Sequence, residues 1–492
     1  MKNVADIYPL TPVQLGMLFH TLHQAQASGQ NQPRAGTYVN QFTCLLTGEV
    51  QPVWFRQAWE RTIARHPVLR TAVLWEGLDE PLQVVRETVE MPWQQLDWRA
   101  MTEAEGQFSQ AEAVSTQALD DFLQRDRTQG FDLSQAPALR LALIRLSEKT
   151  YQFVWSNHHL LYDGWSLLLI WQDVLTTYAA IAKNIEPALQ PVRPFRDYIA
   201  WQRQQPASAK AFWQQQLHGL IETTPLPAAR SGYDISTRPY RQQSQKLSSH
   251  HLERLSHLAR QHRLTLNTLV QGAWALLLHH YSDGTVSADS SAQVTYGSVV
   301  SGRPAALSGV ELMVGLFINT LPVTVPIDPE QPLIPWLRAR QQQLLAIREY
   351  EATSLADIQR WSKLPQGAPL FESIVAFENI TAEATPDLSF TISEQQYLEQ
   401  SNYPLALLVF PEQAPQKSLD LKLLYDVDRF EDASIAQLLA HLEQLLLAFV
   451  DSPEARLTEL PRLTAAEQQL LTGTRREYPQ DRCIHQLIEA QV

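Results

Sequence analysis

Asn157-His158-His159-Leu160-Leu161-Tyr162-Asp163-Gly164-Trp165-Ser166 is the stretch on which the reading of this chain turns. Just upstream, Tyr151-Gln152-Phe153-Val154-Trp155 alternates polar and apolar residues and is rich in aromatic and β-branched types, the pattern of a strand. Downstream, Leu167, Ile170, Trp171, Val174, Leu175 and Tyr178 recur at helical spacing. The two histidines therefore fall at a strand end, on a short loop, with a helix beginning just after. A scaffold can hold an imidazole rigidly in a cleft at such a place. A histidine pair on a loop is also often only a satisfied polar group, and Asp163-Gly164 before a helix fits a cap and turn.

Outside this stretch, the chain is long enough for two domains of ordinary size at 492 residues. It is 45% hydrophobic and 18% charged, as expected of a globular chain. A formal net charge of −13 argues against a nucleic-acid partner, which calls for a basic face. Cys44 and Cys483 are the two cysteines, far apart and without metal-ligand spacing, so a reducing, cytoplasmic setting is expected. No apolar run approaches the roughly 18–20 residues needed to span a bilayer. The N-terminus, Met1-Lys2-Asn3-Val4-Ala5-Asp6, lacks the apolar core of a signal peptide.

Before the histidines, Thr11-Pro12 starts a helix and Pro52 to His66 forms another. Strands are expected at Leu69–Trp75 and Leu82–Arg86, a polar helix over about Ser115 to Gln129, and a hairpin from Leu139–Leu146 and Tyr151–Trp155. Pro187, Pro191 and Pro194 mark a linker. Phe195 to Gln202 reads as a helix docking its aromatic rings on the core. Beyond Arg241, helices are expected at Leu252–His262, Leu266–Tyr281, from Pro332 to about Tyr350, and from Ala433 to Val450. Strands are expected at Val294–Ser301, Phe371–Phe377, Ser389–Thr391, Tyr403–Phe410 and Leu419–Asp426. The pairs His250-His251 and His279-His280 have no Asp-Gly after them and read as surface or helix-end residues.

His-His, three residues, then Asp-Gly closely resembles the signature of the condensation domains of non-ribosomal peptide synthetases, a superfamily shared with chloramphenicol acetyltransferase. Other segments extend the resemblance over nearly the full chain. Tyr8-Pro9-Leu10-Thr11-Pro12-Val13-Gln14-Leu15-Gly16-Met17-Leu18-Phe19-His20 is similar to the opening motif, with Val13 and Leu15 departing from its commonest form. Arg65-His66-Pro67-Val68-Leu69-Arg70-Thr71 resembles the second motif, with Pro67 where the family usually has an acid. Phe195 to Gln202 resembles the fourth, structural motif, and Gly315-Leu316-Phe317-Ile318-Asn319-Thr320 the fifth. The stretches around Leu355 to Trp361 and Ser401 to Leu405 match the sixth and seventh only loosely. Tyr478 to Glu489 looks like the segment leading into an adenylation domain.

The resemblance implies an α/β fold of two chloramphenicol-acetyltransferase-like sandwich lobes forming a V-shaped pseudo-dimer. The expected division is a first lobe over 1–182, a connecting region over 183–240, a second lobe over 241–455 and a linker over 456–492. The implied reaction is amide formation between an acyl or peptidyl thioester on an upstream carrier protein and the free amine of an aminoacyl group on a downstream one. Both substrates ride on phosphopantetheine, and no cofactor or metal is expected in the domain itself. His159 is the residue the family uses, as a base or by positioning the amine. An unperturbed imidazole titrates near about 6.5 and an α-amine near about 7.7–8, so a strong base is not required. His158 is expected to brace the loop. Asp163 is expected to fix it through an arginine, with Arg65, Arg70 and Arg303 as candidates, Arg65 and Arg70 either being tied to it or bracing the core, and Gly164 to allow close backbone approach to the pantetheine channel. Trp165, Ser166, Gly315, Asn319 and Thr320 are expected along the substrate and pantetheine tunnel.

The expected partners are donor and acceptor carriers and an adenylation domain, with no nucleic acid and no membrane. The opening and histidine motifs look more like condensation domains that follow an epimerisation domain, which implies a D-configured donor. A fatty-acyl or L-configured donor, and a non-catalytic docking module of the same fold, are the alternatives. Epimerisation domains carry Trp-Arg after the Asp-Gly, where this chain has Trp165-Ser166. Heterocyclising domains have aspartates in place of His158 and His159.

Overall fold

The strand that carries the histidine motif runs from Thr150 to His158 and lies at the middle of a sheet, buried along nearly its whole length. Tyr151, Phe153 and Trp155 face one core, and Val154 faces a smaller one on the other side. His158 is thus the last residue of the strand and His159 the first beyond it. The computed structural model describes residues 3–27, 38–100, 108–204, 208–226, 229, 240–282, 293–365, 367–378, 386–398, 402–412 and 417–472. Ser401, Cys483 and the stretch from Tyr478 to Glu489 lie outside them.

In chain order the elements are β1 (Asp6–Pro9), α1 (Pro12–Ala27), β2 (Val39–Gly48), α2 (Pro52–Arg65), β3 (Thr71–Leu74), β4 (Leu82–Val85), β5 (Trp93–Asp97), α3 (Phe108–Gln129), β6 (Leu139–Arg145), β7 (Thr150–His158) and α4 (Gly164–Ala182). Two short helices follow, α5 (Phe195–Gln202) and α6 (Ala209–Gln216). The second half contains β8 (Tyr240–Leu247), α7 (Ser249–His262), α8 (Leu266–Ser282), β9 (Gln293–Val300), β10 (Asn319–Pro326), α9 (Leu333–Arg348), α10 (Leu355–Trp361), β11 (Ser373–Phe377), β12 (Phe390–Leu398), β13 (Leu405–Glu412), β14 (Ser418–Asp426), α11 (Asp432–Asp451) and α12 (Ala465–Thr472).

These make two α/β sandwich lobes. The first has a five-stranded sheet in the order β12-β2-β7-β6-β5, and the second a six-stranded sheet in the order β10-β9-β11-β13-β14-β8. A three-stranded sheet, β1-β4-β3, stands beside them. In the first lobe α2 and α4 cover one face, where Phe153 stacks on Trp171 with centroids 5.5 Å apart and Trp59 meets Trp155 edge-on at 4.7 Å. Leu167, Ile170, Trp171, Val174, Leu175 and Tyr178 of α4 are all buried, as their spacing predicts. Each such aliphatic side chain contributes roughly 1.5–3 kcal/mol by leaving water. In the second lobe α11 buries Ile435, Leu438, Leu439, Leu442, Leu445, Leu446 and Phe449. By length and composition α11 could cross a membrane, a possibility that counting apolar runs does not raise; here one face of it fills the core of the second lobe.

Several elements differ from the sequence expectation for identifiable reasons. Pro67–Arg70 is a 3-10 turn, because Pro67 fixes the backbone, and the strand starts only at Thr71. β2 is hidden in the sequence by Asn40, Gln41 and Thr43, polar residues that are nonetheless buried on a central strand. β10 accommodates Pro322 and Pro326 because it is an edge strand. Ser389–Thr391 proves to be only the start of β12, whose Ser393-Glu394-Gln395-Gln396 portion masks its strand character. A bulge lies between Ser393 and Gln396, with Glu394 at φ 51°.

β12 leaves the second half of the chain and pairs with β2 of the first lobe, from Phe390 opposite Gly48 to Leu398 opposite Gln41. Gly48 has φ +138°, and a Cβ there would lie 2.6 Å from the Ser389 carbonyl oxygen. Val314, Leu316 and Phe390 also enter the core of the first lobe. A separate apolar cluster joins the lobes, with Phe195, Tyr198 and Ile199 of α5 against Leu307, Val310, Met313 and Phe317.

Candidate functional site

The His159 main chain is fixed by its N–H, which donates to the Tyr38 carbonyl at 2.8 Å. Its Nδ1 lies 3.0 Å from the Tyr162 carbonyl. A carbonyl only accepts, so Nδ1 carries a proton, and in the neutral form of the ring the lone pair is at Nε2. The loop Leu160-Leu161-Tyr162 turns back on itself to supply that carbonyl, and all three side chains are sunk in the first core. His158 is fully buried where His159 keeps 4% exposure. His158 Nδ1 accepts from the Leu160 amide at 3.2 Å, and Nε2 is 3.4 Å from the Thr21 hydroxyl, which itself donates to the Met17 carbonyl. Burial first, and the neighbouring His159 second, push the His158 pKa down to about 3, so its ring stays neutral.

Asp163 caps α4 by accepting from the Ser166 amide at 2.9 Å. Its other oxygen accepts from the Phe317 amide at 3.0 Å, and Arg303 Nη2 lies 3.3 Å from the first. Of the three candidate arginines only Arg303 meets Asp163. Arg65 pairs with Asp173 at 2.9 Å and donates to the Gln190 carbonyl; the same Asp173 oxygen is 2.7 Å from His66 Nε2. Arg70 donates to the carbonyls of Ile63, Ala64, Arg86 and Glu87. Both brace the core of the first lobe, one of the two roles expected of them, and neither takes the other role of partner to Asp163.

Arg303 reaches Asp163 across the lobe junction. It also donates to the Met313 carbonyl and the Ser166 hydroxyl, each at 2.9 Å, and lies 4.0 Å over the Phe317 ring. Burial lowers its pKa, and the charge of Asp163 opposes that shift. Gly302, just before it, has φ +60° and presses so close to the Phe317 carbonyl that a Cβ would fall 1.8 Å from its oxygen. The Ser166 hydroxyl donates to the Gly315 carbonyl at 2.8 Å and accepts from the Gly315 amide at 3.1 Å. Gly315 itself has no room for a side chain, since a Cβ would sit 2.2 Å from the Phe195 ring.

The expected tunnel residues therefore divide. Ser166 and Gly315 lock the lobes together. Asn319 is spent on the backbone, donating to the carbonyls of Glu351 and Thr353 and accepting from the Thr320 amide. Trp165 is 37% exposed and donates through its indole N–H to the Glu311 carbonyl at 3.0 Å. Thr320 is half-buried, its methyl beside Gly297. A Cβ on Gly164 would meet no atom of the chain within 4 Å.

Gln14 is a contributor that the motif reading passed over. Thr11 and Gln14 form a reciprocal cap, the Thr11 amide donating to Gln14 Oε1 at 2.9 Å and the Gln14 amide to the Thr11 hydroxyl at 3.2 Å. The Gln14 Nε2 then donates to the Leu160 carbonyl at 3.0 Å and to Gln83. The spacing Thr-x-x-Gln was the available signal. A surface groove of about 550 Å³ lined by His250, Arg254, His257, Arg260 and Lys417 is built on α7, not on the histidine loop. His279 and His280 lie in the last turn of α8, and His250 and His251 in the first of α7, as expected of helix-end residues.

Comparison with known proteins places this geometry. The family model described as "Condensation domain" matches residues 4–472. The chain is 40% identical over its full length to one of the linear gramicidin synthase proteins of Brevibacillus parabrevis, and covers 9% of that protein. It is 31% identical to tyrocidine synthase 2 of the same organism, over 98% of this chain and 13% of that protein. The chain thus spans a small part of the relatives it matches. Among solved structures, the first condensation domain of the calcium-dependent antibiotic synthetase matches with TM-score 0.72 and 15% identity, over 94% of this chain and 100% of that one. The X-domain from teicoplanin biosynthesis matches with TM-score 0.75 and 21% identity, over 92% and 97%. At those identities the likeness is one of fold.

Proposed function

This chain belongs to the condensation-domain family of non-ribosomal peptide synthetases, whose members form amide bonds by acyl transfer, and on that premise we propose that His159 is the residue through which it does so. The observation that carries the assignment is the Nδ1–H bond to the Tyr162 carbonyl, which turns the Nε2 lone pair into the acceptor of this site. The acceptor amine attacks the donor thioester carbonyl, a C–N bond forms, the C–S bond breaks and the pantetheine thiol leaves. Nε2 accepts a hydrogen bond from the attacking amine and takes its proton as the tetrahedral intermediate develops. His158 is the neutral brace behind it, and the Asp163–Arg303–Ser166 group holds the loop at the junction of the lobes.

On this reading the substrates arrive on the phosphopantetheine arms of a donor and an acceptor carrier, an adenylation domain follows in the same cytoplasmic synthetase, and the domain needs no cofactor of its own. The donor is D-configured, a reading supported by the form of the opening and histidine motifs. The test offers one acceptor carrier a donor carrier loaded with an L-terminated peptide, a D-terminated peptide or a fatty acyl group, with mass analysis of the product. The D-terminated donor should react fastest. A preference for L or for the acyl chain overturns the donor assignment, while His159→Ala with wild-type turnover overturns the assignment of the histidine. The X-domain likeness includes a structure described as a complex with OxyB. A recruiting role of that kind predicts no amide at all in the same assay.

A further inference from the structure

Glu351 and Thr353 lie in the turn between α9 and α10. Glu351 is 8% exposed and Thr353 is 3% exposed. The Thr353 hydroxyl is buried without a partner, and among the described residues no hydrogen bond or ion pair reaches the Glu351 carboxyl. Their main chain, by contrast, is pinned, because Asn319 Nδ2 donates to the Glu351 and Thr353 carbonyls at 2.8 Å each. Asn319 stands two residues beyond Phe317, whose amide donates to Asp163. The Tyr198 hydroxyl is acted on by the charges of both Glu351 and Asp163, and α10 packs against α1 of the first lobe. The turn is therefore held at the lobe junction beside the Asp163 brace.

A hydroxyl buried without a partner is costly, and its place at the lobe junction, beside a carboxyl that no side chain or amide among the described residues meets, is explained when a ligand completes the pair. Of the two substrates, the acceptor brings the cation at its reacting end. We infer that Glu351, with the Thr353 hydroxyl beside it, receives the α-ammonium of the acceptor aminoacyl group, an inference that rests on the amide-forming reading above. Near neutral pH a large share of such amines is protonated. One N–H proton passes to a Glu351 oxygen, the nitrogen lone pair is released, and the neutral amine attacks the donor carbonyl. The carboxyl then returns its proton to solvent. Burial raises the Glu351 pKa, with Arg348 opposing, which brings the carboxyl closer to the amine it must relieve.

The test measures kcat and KM for acceptor and donor separately, from pH 6.5 to 9, in wild type, Glu351→Gln, Glu351→Asp and Thr353→Val. Glu351→Gln should lower kcat/KM for the acceptor about tenfold or more at pH 6.5. The donor KM should stay unchanged, the deficit should shrink toward pH 9, where the amine is neutral, and Asp should restore part of it. Thr353→Val should raise the acceptor KM a few fold. The Gln variant should melt no lower than wild type, since it removes an unpaired buried acid. An equal deficit at every pH, a deficit on the donor, a lowered melting temperature or wild-type kinetics each overturn the inference. Wild type that makes no amide overturns the reading beneath it, whereas active wild type with an unaffected Gln variant overturns this inference alone.

Discussion

The His158 ring is clamped between the Leu160 amide and the Thr21 hydroxyl, and its pKa in the fold, about 3, lies below the unfolded value near 6.5. The unfolded chain therefore binds an extra proton between those values. The stability tied to His158 is complete above about pH 6.5 and is lost as pH falls toward 3. Urea midpoints should show a loss of roughly 1 kcal/mol per pH unit between pH 6 and 4 that is absent from His158→Asn; parallel slopes for the two proteins would remove His158 from this account. At Asp163 the expected effect is larger. Asp163→Ala strands the nearly buried Arg303 and removes a helix cap, so denaturant unfolding should report a loss of about 3–5 kcal/mol. Adding Arg303→Met should recover much of it, and a single variant as stable as wild type would show that water replaces the carboxylate. The histidine pair and the aspartate were legible in sequence because they lie within one short loop. The choice of Arg303 over Arg65 and Arg70 was not, since a partner 140 residues away is set by how two lobes meet.

At the scale of elements, legibility followed burial pattern. α4 and α11 announce themselves because each buries one periodic face. β2 and β12 do not. β2 is covered on both faces and carries buried polar residues, while β12 is a bulged edge strand whose middle is exposed. Their pairing begins at Gly48, where positive φ and contact with Ser389 and Phe390 leave no place for a methyl group. Gly48→Ala should cost about 1–3 kcal/mol in backbone strain before any steric overlap is added. Thermal melting should record that loss, and limited proteolysis should find new cleavage near residues 386–398. A variant with the wild-type melting temperature and cleavage pattern would show that the strand shifts to make room.

Across the whole molecule, the two-lobe architecture could be inferred only by resemblance, because neither periodicity nor spacing reveals that a late strand returns to an early sheet. The core of the first lobe needs Val314, Leu316 and Phe390, and its loop needs Arg303, all from beyond residue 300. A fragment of residues 1–240 should therefore fail to give cooperative unfolding by circular dichroism, where the whole chain does. A fragment that melts cooperatively would show that the first lobe is self-sufficient. The path of β12 also decides how this protein exchanges parts with its kin. A single crossover between residues 183 and 389 would yield a hybrid whose first sheet comes from one parent and whose edge strand comes from the other. Residues 390–398 are inherited with the second half but have to be matched to the first, so productive chimeras call for a double exchange that carries them along with β2.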